Sequence, residues 1–476
     1  MEGKYFEEAF AAGAAEAPST GGDPYPQALA ILRRRLTETF TPDQLAAAGP
    51  AVTDEAARLA AQTYIACNDR ALRENRPRIA ADPEGFVRRA LADLLGMGPL
   101  EALLADERVE DIAVNGTREV RVHRGAGWEE TGIRFDSPER LLEMLNRGIA
   151  GSNRQASMVL PIADAVLPGG ERIGVVTHPV ASPWPAAVIR IPRARGIELE
   201  DMLAPDGSAT GALGGRAPIP DYEELLEGPA TGMLSPQAAA YLHAAVLAGL
   251  NIAAVGPTGS GKTTLLMALG RKIPRGKRIL IIEDTPEIVL HPGEEKPHNV
   301  LYLRTRPASL EGVPAITQED LVRLALRHRP DALTLGEARG AEVFDLLNAL
   351  ATGHKNGLTS VHAYGVEELF GRIFLMLAQS ERGRFLDAWR AAHMVASTLH
   401  IALSLEVSRR NGRTARRVRT IAECTGAVVR RGRTYEPEMR AIFRHDGRRL
   451  EGPLAASVHA RALAEAGLPP AAMEPV

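Results

Sequence analysis

A chain of 476 residues with 45% apolar and 24% charged side chains has material for more than one hydrophobic core, so several domains are expected. A formal net charge of -3 argues against a protein that coats nucleic acid. Its two cysteines, Cys67 and Cys424, stand at no metal-ligand or redox spacing and exclude a disulfide framework, as in a reduced cytosolic protein. No apolar run is long enough for a membrane span, since the best candidate, Ala238 to Val255, is interrupted by Tyr241, His243 and Asn251.

Residues 1–24 are rich in Ala, Gly and acidic residues and lack a basic start leading into an apolar core, so they read as a disordered lead and not as a signal peptide. From 25 to 95 apolar residues recur at helical spacing, at Leu29, Leu32 and Leu36 and again at Ala57, Leu59, Tyr64 and Ile65, which predicts a small helical subdomain. Residues 96–203 alternate as strands at Val109 to Val114, Val120 to His123, Ala163 to Val166, Arg172 to Val176 and Ala187 to Ile191. Ser137 and Pro138 open a helix between them, and the whole is an α+β domain.

The stretch 204–232, dense in Pro, Gly, Asp and Ala without a sustained period, reads as an inter-domain linker. From 233 to 405 strands and helices alternate, beginning with a helix capped by Ser235. Strands follow at Asn251 to Val255, Arg278 to Glu283, Asn299 to Leu303, Ala332 to Leu335 and Leu358 to Val361, a pattern that predicts an α/β domain around a largely parallel sheet. Residues 406–455 carry hairpin turn signals at Asn411-Gly412, Arg431-Gly432 and Asp446-Gly447 and form a C-terminal β-hairpin extension, with 456–476 as a tail.

The chemistry is announced by Gly256, Pro257, Thr258, Gly259, Ser260, Gly261, Lys262 and Thr263, a phosphate loop placed after a predicted strand and before a predicted helix. Its glycines let backbone N–H groups curl toward phosphates, and the helix N-terminus adds a favourable dipole; Thr264 continues the binding segment. Lys262 is placed to reach the β and γ phosphates and Thr263 to hold Mg²⁺. Phosphoryl transfer to water also needs a carboxylate, and Glu337, at the end of the strand from Ala332, is the candidate base. Glu283 and Asp284 end the preceding strand, with Glu287 a turn later; they are candidates to orient water or Mg²⁺ and to contact nucleotide. His354 and His362 flank the strand Leu358 to Val361, and either could read the γ-phosphate.

Four ordered segments resemble the boxes of the type II and type IV secretion ATPase superfamily. They are the phosphate loop, Ile282 to Glu287, Leu326 to Gly340, and Thr352 to His354 followed by Thr359 to Ala363. Upstream, Gly96 to Leu100 and Val109 to Gly116 resemble the branch that drives tight-adherence (Flp) pili, called CpaF-like. The resemblance implies a RecA-like P-loop domain preceded by a PAS-like α+β domain and a helical subdomain. It further implies ATP and Mg²⁺ as ligands, a homohexameric ring, His362 as the γ-phosphate reader, and arginines of the N-terminal domain reaching the phosphates, Arg190 foremost and Arg172 second. Arg327 and Arg329 are implied to face a neighbouring site. A cytoplasmic location at the inner face of the membrane, against an inner-membrane platform protein, follows from the same likeness. Conjugative type IV secretion is the alternative system, and a hexameric DNA translocase, which would share the RecA-like core, is a second alternative that the order of the boxes and the domain in front argue against. Thr334 in the strand before Glu337, the lack of an acidic residue between Gln155 and Leu160, and the length of 204–232 depart from the family pattern.

Between Arg409 and Arg449 thirteen arginines face only Glu423, Glu436, Glu438 and Asp446. This suits an anionic membrane surface or an acidic protein loop. Tyr435 and Phe443 are too few to stack a single strand, which argues against nucleic acid as a partner.

Overall fold

A computed structural model describes residues 24–475 except 42–43, 46–48, 81, 125–126, 153, 193–196, 204–232, 291–298, 307, 309–312, 411–412 and 447–449. The expected lead, the linker at 204–232, the turn at Asn411-Gly412 and part of that at Asp446-Gly447 lie outside the described residues. The chain folds as two compact units, Met1–Arg193 and Ala194–Val476. Among the described residues no helix is long and apolar enough to cross a membrane.

In the first unit, helices α1 (Tyr25–Thr39), α2 (Pro50–Arg73) and α3 (Pro83–Leu95) close over Leu32, Leu36, Phe86 and Leu94, each fully buried. Burial of such a side chain is worth about 1.5–3 kcal/mol, and this small core is separate from the one beyond it. After α4 (Glu101–Ala105) come β1 (Asp111–Asn115), β2 (Glu119–His123) and β3 (Trp128–Glu130). Helix α5 (Pro138–Ile149) follows, then β4 (Ile162–Val166), β5 (Arg172–Val176) and β6 (Ala186–Arg190). The strands form an antiparallel sheet in the order β3-β2-β1-β6-β5-β4. Period-two alternation turns Ile112, Val114, Val120, Val122, Ile173, Val175 and Ile189 inward onto Leu141, Leu145 and Ile149 of α5. Ser137 begins α5 as its residue type demands, its hydroxyl accepting the Arg140 N–H at 3.2 Å.

The second unit begins earlier than the composition suggested. Leu199, Met202 and Leu203 are buried in its core, and Glu198 and Glu200 ion-pair with Arg271 and Lys272 of that unit, so the boundary falls at 193/194 and not at 203/204. Its elements in order are α6 (Pro236–Leu247), β7 (Ile252–Val255), α7 (Lys262–Arg271), β8 (Ile279–Glu283), β9 (Val300–Arg304), α8 (Gln318–Ala325), β10 (Ala332–Ala338), α9 (Glu342–Ala351), β11 (Gly357–Val361), α10 (Val366–Leu377) and α11 (Ala388–Thr398). Then follow β12 (Ile401–Arg410), β13 (Arg413–Arg431), β14 (Thr434–His445), β15 (Leu450–Glu451) and α12 (Ala460–Glu465).

All nine strands form one sheet, β15-β14-β13-β12-β7-β11-β10-β8-β9, parallel from β12 to β9 and antiparallel from β12 to β15. The apolar runs of β7 and β8 are buried on both sides because α6, α7 and α12 cover one face and α8 to α11 the other. The expected separation of an ATPase domain at 405 from a hairpin extension at 406 has no counterpart, since β12 runs through that point and its hairpin partners prolong the sheet.

Candidate active site

The parallel strands β7, β8, β10 and β11 all end at one edge, and the chemistry-bearing residues follow those ends. Residues Gly256 to Gly261 leave β7 and enter α7. Gly256 is required because a Cβ there would meet the Leu405 carbonyl and the Ser260 hydroxyl, both at 2.7 Å. Gly261 starts the helix at φ 93° and offers no side-chain cap. Helices α5, α6, α8 and α11 have their first N–H groups capped by Ser137, Ser235, Thr317 and Asp387; α7, like α9 and α10, has no side-chain cap, and here a glycine loop precedes the free N–H groups. An uncapped N-terminus preceded by a glycine loop fits a phosphate. Ser260 is fully buried with its hydroxyl unpartnered, while Thr263 and Thr264 are half-buried on the first turn.

Lys262 is folded under the loop, its Nζ donating to the carbonyls of Gly256 and Pro257 at 2.8 and 3.0 Å and to Nδ1 of His362 at 3.4 Å. Burial pushes its ammonium down to about 8. Beyond the ring, His362 Nε2 lies 2.8 Å from Glu337 Oε1. That approach is off the line of a hydrogen bond, so Oε1 is buried without a hydrogen-bond partner. Glu337 Oε2 accepts from Arg339 at 2.6 Å, and Arg339 also lies 3.9 Å from Asp284. Burial favours the protonated form of Glu337, but Arg339, His362 and Lys262 outweigh it and hold the carboxyl below its ordinary range. Burial, then the Lys262 charge, keeps His362 below the usual imidazole value, so the ring is neutral at neutral pH.

Strand direction separates the two histidines. His354 precedes β11 and His362 follows it, so only His362 stands at the edge that carries Lys262 and Glu337. Arg327 and Arg329 likewise precede β10, whose seven residues set them roughly 20 Å from the opposite end of the strand. Both are exposed.

Glu283 differs from its expected metal role. Its carboxylate is buried and accepts the backbone N–H groups of Glu287 and Ile288 at 3.0 and 3.1 Å, which fixes the turn after β8. Asp284, the next residue, is about two-fifths exposed at 41% and points toward Arg339, leaving it and Thr263 as the groups that fit a hydrated divalent cation. Glu287 is half-buried.

Arg172 and Arg190 are in register on β5 and β6 of the first unit, with Asp111 of β1 next in the row. The Arg190 Nε donates to Asp111 at 2.8 Å. Two site residues escaped sequence reasoning. Arg339 was visible inside the segment around Glu337 but without a reason to single it out. Arg416, on β13, donates from Nε to the Gly259 carbonyl at 2.8 Å from more than a hundred residues away.

Residues 219–434 match the family described as type II/IV secretion system protein. The type IV secretion system protein VirB11 of Brucella suis is 31% identical over 341 residues, which cover 71% of this chain and 91% of that protein. The type IV secretion system protein PtlH of Bordetella pertussis is 32% identical, covering 67% of this chain and 91% of the relative. A crystal structure of the Brucella suis VirB11 ATPase in complex with sulphate superposes with a TM-score of 0.35 at 29% identity, covering 69% of this chain and 96% of that one.

Proposed function

Because this chain belongs to the type II/IV secretion system ATPase family, we propose that it hydrolyses ATP in a homohexameric ring that drives type IV secretion or pilus assembly. The carrying observation is the row of close contacts from Lys262 through His362 and Glu337 to Arg339 at the edge where α7 presents its uncapped N-terminus.

The residues have separable tasks. The N–H groups of Gly259 to Thr264 and the Lys262 ammonium bind the phosphates and offset their charge. Mg²⁺, when bound through Thr263 and Asp284, neutralises phosphate charge. Neutral His362 stands between the two halves, its Nδ1 3.4 Å from the Lys262 ammonium and its Nε2 2.8 Å from Glu337. Glu337, ionised and with Oε1 open, takes the proton of an attacking water. Arg339 holds the other oxygen and so sets the direction of the open one. Glu283 shapes the turn that presents Asp284. Arg190 and Arg172 supply cationic charge to the phosphates from the first unit, and Arg327 and Arg329 face the next subunit.

VirB11 and PtlH favour type IV secretion over the tight-adherence branch, whose support rests on Gly96 to Leu100 and Val109 to Gly116. The proposed location is the cytoplasmic face of the membrane, against a platform protein or anionic lipid. Steady-state hydrolysis by wild type and Glu337→Gln, across a protein-concentration series with mass measured in parallel, tests the reading. Turnover should rise with hexamer formation and vanish in the variant. Equal turnover in both proteins, or full turnover by a monomer, sinks it.

A further inference from the structure

The phosphate loop is held from outside by a residue of the C-terminal hairpin. Strands β12 and β13 pair Leu405 with Val418 and Val407 with Arg416, but Ser404 with Thr420, so one extra residue, Arg419, bulges from β13. The bulge changes which face each following side chain takes. Val418 and Ile421 both enter the core on the α7 side of the sheet, although three residues apart they would face opposite ways in a regular strand. Arg416, two residues before Val418, is thereby turned to the α7 side. There its Nε meets the Gly259 carbonyl at 2.8 Å, and its Cδ lies 3.9 Å from where a Cβ on Gly261 would sit. Arg417, on the other face, ion-pairs with Glu406 across the hairpin. Met233, tied to β13 through its carbonyl and the Val418 N–H, flanks Gly261 from the same side, its Cε 3.5 Å from that Cβ position.

In a trans peptide the C=O and N–H lie in one plane and point in opposite directions. Anchoring the Gly259 carbonyl outward therefore turns the Ser260 N–H toward the inside of the loop, where it makes a long hydrogen bond of 3.3 Å to Pro257. A loop that binds anions needs its N–H groups inward and its carbonyls outward, because an inward carbonyl repels phosphate oxygens. Gly259, at φ 75°, has no side chain to resist the opposite turn of this peptide.

We infer that Arg416 is a positioning residue of the phosphate loop, which keeps the Gly259–Ser260 peptide in its anion-binding orientation. This rests on the ATPase reading of the same site and adds to it that the hairpin β12–β13 is part of the nucleotide-binding machinery.

The test compares wild type with Arg416→Gln, Arg416→Lys and, as a same-strand charge control, Arg430→Gln, an exposed position outside the bulge, measuring ADP affinity by calorimetry, KM and kcat for ATP, and thermal melting. Arg416→Gln should weaken ADP binding and raise KM about tenfold, the effect of one charge-assisted hydrogen bond, with kcat within about threefold. Arg416→Lys, which still donates and carries charge, should recover most of that loss, and Arg430→Gln should behave as wild type. ADP affinity and KM unchanged in a folded Arg416→Gln, or lost equally in Arg430→Gln, overturn the inference while leaving the ATPase reading intact. Wild type that binds no ADP overturns both.

Discussion

Lys262 and His362 meet at 3.4 Å, Nζ to Nδ1, although they belong to different strand–helix units of the sheet. The contact sets the Lys262 charge against a neutral ring that stands 2.8 Å from Glu337, so the end of the glycine loop and the carboxylate are electrostatically linked through His362.

Removing the open carboxylate oxygen separates binding from chemistry. Glu337→Gln keeps the shape and the Arg339 contact but cannot accept a proton. It should lower kcat by a factor on the order of 10² to 10⁴, with ADP affinity within a few-fold of wild type. A variant that loses binding and turnover together would assign Glu337 to architecture instead.

The lowered value of Lys262, about 8, makes phosphate binding a proton-linked event. A phosphate beside Nζ favours the ammonium, so binding raises the pKa and takes up a proton from solution when the pH is near or above 8. ADP affinity should fall as pH rises from 7 to 9.5, and calorimetry at pH 8.5 in buffers of different ionisation enthalpy should show uptake of a fraction of a proton. Lys262→Arg, which cannot deprotonate in this range, should bind with little pH dependence; the same slope in both proteins would place the titrating group elsewhere.

Glu283 should prove a stability residue. Glu283→Ala strands the buried N–H groups of Glu287 and Ile288, at a cost of about 1–3 kcal/mol. The melting temperature should drop, while the Mg²⁺ concentration for half-maximal turnover stays put; Asp284→Asn should do the reverse. Exchange of these two phenotypes would restore the metal role to Glu283.

What the sequence made legible follows from how local the signal is. The phosphate loop carries its glycines, lysine and hydroxyl within one turn, and Ser137 and Ser235 announced their helices by capping chemistry alone. Glu337 and His362 were readable because strand ends in a parallel sheet share an edge. Glu283 was ambiguous because a carboxylate at a strand end looks the same whether it faces a cation or the N–H groups of its own turn. The boundary at 193/194 was hidden because Leu199, Met202 and Leu203 show their allegiance only through packing. Arg416 was out of reach: its direction depends on a bulge at Arg419, and strand register is a tertiary property.

His400 provides a test of the second unit that does not involve nucleotide. Its Nδ1 accepts the Asn251 N–H at 2.9 Å, which requires a neutral ring, and burial, helped by neighbouring His459, pushes the imidazole down to about 4. In the unfolded chain the ring titrates near 6.5. Between those values the unfolded state binds a proton that the native state refuses, so native stability falls as the pH is lowered from 6.5 toward 4. A tenfold difference in proton affinity between the two states corresponds to about 1.4 kcal/mol, and solvent screens part of it at this half-buried ring, so the full loss from this residue is on the order of 2–3 kcal/mol. The urea midpoint of wild type should decline over that window more steeply than that of His400→Asn, which cannot titrate there. The variant itself should start lower at pH 7.5 if its amide fails to reach the Asn251 N–H. Parallel curves for the two proteins would mean that the acid sensitivity of the unit comes from other groups.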